Sequence, residues 1–190
     1  MLTPFTQEDA DRAYDEWGVN CGPSALAAIM GMTLDEVRPH MSDFERKHYT
    51  NPSLMNAALR SIGRPWRKIG AEWPRYGLAR IQWEGPWTGA GVPMRARYRY
   101  THWVGVNKSQ TTGIFDINCM NNGTGWCSLD DWVLVIVPHL TAQYPRATGG
   151  WHITHGIEVE KLPAKITRTV LSFPGDPDVE LLPVEADHKM

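Results

Sequence analysis

The stretch from Cys21 to Gly31 limits the fold more than any other. It reads Cys-Gly-Pro-Ser-Ala-Leu-Ala-Ala-Ile-Met-Gly. Ala, Leu and Met favour helix, Pro23 suits a first turn, and Gly31 ends the run. Such a helix has almost no polar face, so other parts of the chain must cover it on nearly every side. With 190 residues, 42% of them hydrophobic, the chain is large enough to do so within one compact unit.

The cover comes from two kinds of segment. Residues 7–17 are acidic and read as a short solvated helix or turn. Thr33-Leu-Asp-Glu36 has the spacing of a capping box and opens a short helix to about Met41. A third helix follows Asn51, with Pro52 at its first position and Gly63 closing it; Leu54, Ala58, Leu59 and Ile62 form its inward face. After Gly63 the character changes. Leu78–Trp83, Tyr98–Asn107, Gly113–Asn118 and Trp132–Val137 are rich in β-branched and aromatic residues between turn signals, and read as strands. Lys108–Thr112 is a polar hairpin connection. Helices first and strands later predict an α+β fold, with the N-terminal helices packed on a mostly antiparallel sheet. The expected organisation is a domain over residues 1–145 and an extension over 146–190. The extension holds a strand pair (His152–Leu162 and Ile166–Phe173) and an acidic mobile tail.

Charge and composition remove several classes of function. Nineteen basic residues against twenty-one acidic ones leave a net charge of −2, so a nucleic-acid partner is not expected. No apolar run is long enough to span a bilayer, and Met1–Glu8 lack the basic-then-apolar pattern of a secretory signal. These features predict a soluble, cytoplasmic protein. Neither a phosphate-binding Walker loop nor a dinucleotide glycine fingerprint occurs. His152 and His155 would fall on opposite faces of a strand, and no cysteine pair has zinc-site spacing, so neither metal nor organic cofactor is expected. The chain has three cysteines. At least one is therefore a free thiol, and without a secretion signal Cys119 and Cys127 are expected to stay reduced as well.

The chemistry points to Cys21. It opens the apolar helix, where unpaired backbone N–H groups and the positive end of the helix dipole favour a thiolate and an adjacent oxyanion. By itself it would pass for an ordinary buried cysteine. His102 lies within the strand Tyr100-Thr-His-Trp-Val-Gly-Val106, on the face shared with Val104 and Val106 and opposite Trp103. Imidazole among apolar residues needs partners for both nitrogens. Asp116 sits among apolar residues in the next strand, and a hairpin about 108–112 brings it within a residue or two of His102. A structural His–Asp pair would satisfy both groups, but a free cysteine, a histidine and a carboxylate together favour a nucleophile, its base and an orienting acid.

These blocks carry a resemblance. Asn20-Cys-Gly-Pro-Ser-Ala-Leu26, the Asn-Pro-Ser-Leu…Gly63 helix, Thr-His-Trp-Val-Gly-Val106 and Ile-Phe-Asp-Ile-Asn118 resemble papain-like cysteine peptidases, nearest to the bacteriocin-processing (double-glycine) branch. The likeness covers roughly residues 15–137. It implies a papain-like fold, a peptide or protein substrate, Cys21 as nucleophile, His102 as general base and acid, and Asp116 as the orienting carboxylate. That family has a glutamine about six residues before its cysteine as an oxyanion donor. Here the position holds Asp15, which cannot donate when ionised. Gln7 and Asn20 are the replacement candidates. A different donor, a non-peptidase acyl chemistry and an inactive enzyme all follow from that departure.

Candidates for a substrate groove are Trp83, Tyr100, Trp103 and Arg99. Arg95, Arg97 and Arg99 alternate along a reading of residues 94–100 as strand, which gives either a solvated face or a cationic rim for a carboxylate or phosphate. The expected function is a cysteine-dependent amide hydrolase; the same triad also suits an acyl transferase, and the groove alone suits a silent binding module. The sequence carries no signal for oligomeric state.

Overall fold

The structure is a computed structural model that describes residues 7–18, 21–42, 44–109, 111–119 and 124–161, with Gln7 described by its backbone alone. The helical part comprises α1 (Gln7–Trp17), α2 (Cys21–Met30), α3 (Leu34–Val37), α4 (Phe44–Lys47) and α5 (Pro52–Ile62). Then come β1 (Trp66–Gly70), β2 (Tyr76–Trp83), the short α6 (Met94–Arg97), β3 (Thr101–Lys108), β4 (Thr112–Phe115) and β5 (Trp126–Ser128). The chain continues through α7 (Leu129–Asp131), a π-helical segment (Trp132–Ile136) and α8 (Val137–Thr141) to β6 (Trp151–Val159). Among the described residues no helix is long and apolar enough to cross a membrane.

Local chemistry accounts for the helix ends. Thr33 and Glu36 form a reciprocal capping box, each side chain accepting from the other residue's backbone N–H. Asn51 caps α5 by accepting from Leu54 N at 2.8 Å, and Gly63 ends it in the left-handed region at φ 78°, where glycine carries no Cβ penalty.

Six strands form one sheet in the order β1-β6-β2-β3-β4-β5, and every neighbouring pair is antiparallel. The fold is therefore α+β. Strand β2 is buried along its whole length because it lies inside the sheet and both of its faces are covered. On one face Leu78, Trp103 and Phe115 pack with Leu26, Ile29 and the other helices of the N-terminal half. On the other, Ala79, Ile81, Trp83, Val104 and Val106 pack with Trp132, Ile136 and Leu140. Helix α2 is seated directly on β3 at Gly105, where a Cβ would come to 3.2 Å from Ile29 and 3.0 Å from Phe115 Cβ; the bare glycine permits this approach. The Tyr76 hydroxyl donates to Ile29 O at 2.7 Å and ties down the far end of the helix.

Several expectations need correction. Trp132–Val137 is helical, not a strand; Trp132 and Ile136 turn inward while Leu134 and Val135 face solvent, which a helical path satisfies and a strand buried on one face does not. Residues 94–97 form a helical turn, so Arg95, Arg97 and Arg99 do not alternate along a strand, and β3 begins at Thr101. Cys119 and Cys127 are joined by a disulfide with Cα atoms 6.4 Å apart, because β5 folds back beside β4 and closes the short loop between them. The segment after residue 145 contributes β6, which lies between β1 and β2 inside the sheet. Residues 162–190, including the expected strand Ile166–Phe173 and the acidic tail, lie outside the described residues.

Candidate active site

Three elements converge at the first turn of α2. The indole N–H of Trp103 donates to Thr50 O at 2.8 Å, and Thr50 packs so closely on Gly22 that a Cβ there would lie 2.3 Å from Thr50 Oγ1. The helix start is thereby locked to β3, one residue from His102. Cys21 is half-buried and is the only free thiol among the described residues.

The β3–β4 hairpin has the register expected of its polar connection. Gly105 pairs with Phe115 and Asn107 with Gly113, so Asp116 follows opposite Val104 and lies diagonally across from His102 on the same face. His102 Nε2 donates to Asp116 Oδ2 at 2.8 Å. With Nε2 committed, Nδ1 is the ring nitrogen left to face Cys21, and the sulfur and the imidazole each bias the other's ionisation. The Trp103 backbone N–H also favours the thiolate. Cys21, His102 and Asp116 thus stand together, with the imidazole hydrogen-bonded to the carboxylate and electrostatically coupled to the sulfur.

Asp116 is fully buried and would be costly as an isolated charge. It is held by four donors. Oδ2 accepts from His102 and from Trp132 Nε1, both at 2.8 Å, and Oδ1 accepts from Asn118 N at 2.9 Å and Asn118 Nδ2 at 2.8 Å. Burial alone would raise the Asp116 carboxyl, but His102, Asn118 and Trp132 together hold it below the usual carboxylate range. For His102, burial favours the neutral ring, yet Asp116 on one side and Cys21 on the other push its pKa well above that of free imidazole. Burial also works against a Cys21 thiolate; the His102 charge, its hydrogen bond and the Trp103 N–H outweigh burial and the opposing Asp116 charge and leave the thiol below its ordinary value. All three directions favour a thiolate–imidazolium pair backed by a carboxylate.

The groove candidates separate. Trp83 is fully buried and stacks against His102 at 6.0 Å and 28° and against Trp132 at 6.1 Å and 27°. It is a floor beneath the imidazole and not a groove wall. Trp103 is likewise buried, pinned under α2, because strand alternation sends it toward the helices. Tyr100 is half-buried between Trp87 and Tyr144, each with its centroid 4.5 Å away. Burial, then the nearby Cys21 and Tyr100, raise the Tyr144 phenol, which puts this aromatic wall beside the sulfur. Arg99 is exposed and belongs to the loop before β3. Asp15 is exposed on α1, Asn20 lies outside the described residues, and of Gln7 only the backbone is described.

Sequence reasoning missed Trp132, Asn118, Tyr144 and Arg80. For Asn118 the signal was present, since Asp-x-Asn is an Asx-turn pattern in which the carboxylate accepts from the N–H two residues on. Arg80 is a charge inside the apolar strand Leu78–Trp83, and the same reasoning that singled out Asp116 applies to it. No protein-family model matches this chain, and no curated protein matches it either.

Proposed function

We propose that this protein is a papain-like cysteine-dependent amide hydrolase acting on peptide substrates. The observation that carries the reading is the Cys21–His102–Asp116 cluster at a helix N-terminus, in which His102 is hydrogen-bonded to the buried Asp116 and Cys21 and His102 are shifted toward the charged pair. A helix opened by the cysteine and packed on an antiparallel sheet that carries the histidine and the carboxylate supports the papain-like fold.

The geometry suits a two-step acyl transfer. The Cys21 thiolate adds to the scissile carbonyl carbon, and the negative charge moves to the carbonyl oxygen. Backbone N–H groups in the first turn of α2 are free of intrahelical partners and suit that oxygen; Pro23 has none to offer. The imidazolium of His102 gives its Nδ1 proton to the amide nitrogen, the C–N bond breaks, and the amine leaves a thioester on Cys21. Neutral His102 then takes a proton from water, whose oxygen attacks the thioester, and the thiolate departs with the imidazolium restored. Asp116 stays ionised throughout and fixes the tautomer through Nε2.

The test begins with iodoacetamide. Single-site labelling of Cys21, faster than that of a free model thiol at neutral pH and suppressed in His102→Ala, supports the reading. A peptide library cleaved by the wild type and untouched by Cys21→Ala establishes hydrolysis, whereas product formation that requires an added amine acceptor assigns a transferase. Cleavage retained in Cys21→Ala overturns the mechanism. Labelling no faster than the model thiol, with no cleavage, leaves a silent binding module.

A further inference from the structure

Strand β2 carries one positive charge in an otherwise apolar stretch. Arg80 lies between Ala79 and Ile81, opposite Trp103 on β3 and His155 on β6, and only 7% of it is exposed. Its side chain emerges on the face that carries Leu78 and Trp103, the side on which Cys21 sits. A guanidinium has five N–H donors in a planar fork. One of them, on Nη2, reaches Thr101 Oγ1 at 3.1 Å; Nε is buried without a partner. The Cζ atom lies 5.3 Å from the centroid of the Tyr98 ring, which orients the plane but accepts no fork. No carboxylate among the described residues pairs with it.

The neighbours are of the same character. His155 Nδ1 is buried without a partner, and burial followed by the charges of Arg80 and Lys68 holds this imidazole below its ordinary value. Burial also disfavours the charge on Arg80, and apart from the Tyr98 phenol, Cys21 is the anionic group that offsets it. Tyr98 and Lys68 are exposed and Thr101 and Cys21 half-buried, so the guanidinium lies one side chain beneath the surface, within electrostatic reach of the sulfur. A buried, unpaired arginine is costly, and a charged partner that arrives from outside the chain removes that cost.

We infer that Arg80, with Thr101 and His155, forms a carboxylate-recognition subsite beside Cys21, so that the preferred substrate carries an acidic group close to the scissile carbonyl. A carboxylate matches the planar fork through two parallel hydrogen bonds, and the unpartnered His155 ring adds a further polar contact. The cationic rim expected of Arg95, Arg97 and Arg99 is thereby assigned to another arginine, deeper and nearer the nucleophile. The inference rests on Cys21 being the nucleophile proposed above, and its test separates the two.

Iodoacetate and iodoacetamide attack the same sulfur through the same carbon and differ in one carboxylate. The ratio of their alkylation rates at Cys21 is measured in the wild type, Arg80→Met and Arg80→Lys at neutral pH, with thermal melts as the folding control. The expected result is a ratio that falls about tenfold or more in Arg80→Met and is partly kept in Arg80→Lys. An unchanged ratio in Arg80→Met assigns the preference to the His102 imidazolium and overturns the subsite. Equal losses with both reagents make Arg80 a support for the thiolate alone and also overturn it. If neither reagent labels Cys21 faster than a free thiol, the hydrolase reading fails by itself. Titration of Cys21→Ala with N-acetylglutamate against N-acetylglutamine, read by tryptophan fluorescence, then decides the subsite. Preference for the acid, lost in the Arg80→Met double variant, upholds it; equal binding or no binding overturns it.

Discussion

Asp116→Asn is nearly isosteric, and the hydrogen-bond pattern predicts that it fails. Both carboxylate oxygens accept two donors each, His102 and Trp132 on Oδ2, and the Asn118 backbone and side chain on Oδ1. An asparagine amide has one acceptor end and one donor end. Whichever way it is turned, its NH2 group faces two N–H groups. Reversing the Asn118 side-chain amide relieves one conflict at best and leaves the Asn118 backbone N–H unpaired in a buried site. Loss of a charge-assisted hydrogen bond at ~1.5–3 kcal/mol and an unsatisfied buried donor at ~1–3 kcal/mol together give about 2.5–6 kcal/mol. Asp116 is fully buried, so solvent screening does not reduce this figure.

The pH dependence has a definite sign. The His102 pKa is raised in the folded state, so its contribution is complete below the ordinary imidazole value and lost as pH rises through the folded value. Asp116 is lowered, so its contribution is present above the ordinary carboxylate value and lost as pH falls through the folded one. The deficit of Asp116→Asn is therefore largest between those limits and smaller in strong base. Urea unfolding across pH in non-reducing buffer measures it, and the ring-proton NMR titration of His102 should shift to lower pH in the variant. Stability within about 0.5 kcal/mol of wild type, with an unmoved His102 titration, would refute the four-donor account.

Trp132→Phe keeps a ring against Trp83 but removes the indole donor to Asp116, and should cost about 2–4 kcal/mol in urea unfolding. Gly22→Ala drives a methyl into Thr50; a loss of about 1–3 kcal/mol, with slower iodoacetamide labelling of Cys21, is the expected result. Replacing Cys119 and Cys127 by alanine opens a loop of sequence separation 8, which chain entropy puts at about 2.5 kcal/mol. Equal denaturation midpoints for that variant and the oxidised wild type would show that the bridge adds nothing.

Where chemistry is local, the sequence was legible. The capping box at Thr33, the Asn51–Pro52 start of α5, the apolar α2 and the Lys108–Thr112 hairpin each depend on residues a few positions apart. The hairpin register in turn brought Asp116 to His102 without knowledge of any other strand. Non-local partners were not legible. Nothing in Trp132-Val-Leu-Val-Ile136 separates strand from helix, because β-branched residues are tolerated in a helix whose packing selects it. Placement of β6 between β1 and β2 depends on contacts across some seventy to ninety residues, such as Arg67 with Glu158 at 2.6 Å. Trp83 and Trp103 were singled out as aromatic, but their burial follows from what covers each sheet face. The disulfide was misjudged because the expectation came from compartment and not from the geometry of β4 and β5.

The most direct measurement is the ultraviolet titration of the Cys21 thiolate, taken as the difference between wild type and Cys21→Ser. The disulfide removes the other two cysteines from the signal. A thiolate that forms below the ordinary cysteine value, and that His102→Ala moves upward because burial then acts against it without the imidazolium, is the predicted result. A wild-type thiol that ionises at or above its ordinary value, and does not respond to His102→Ala, would contradict the ion pair on which the proposed chemistry depends.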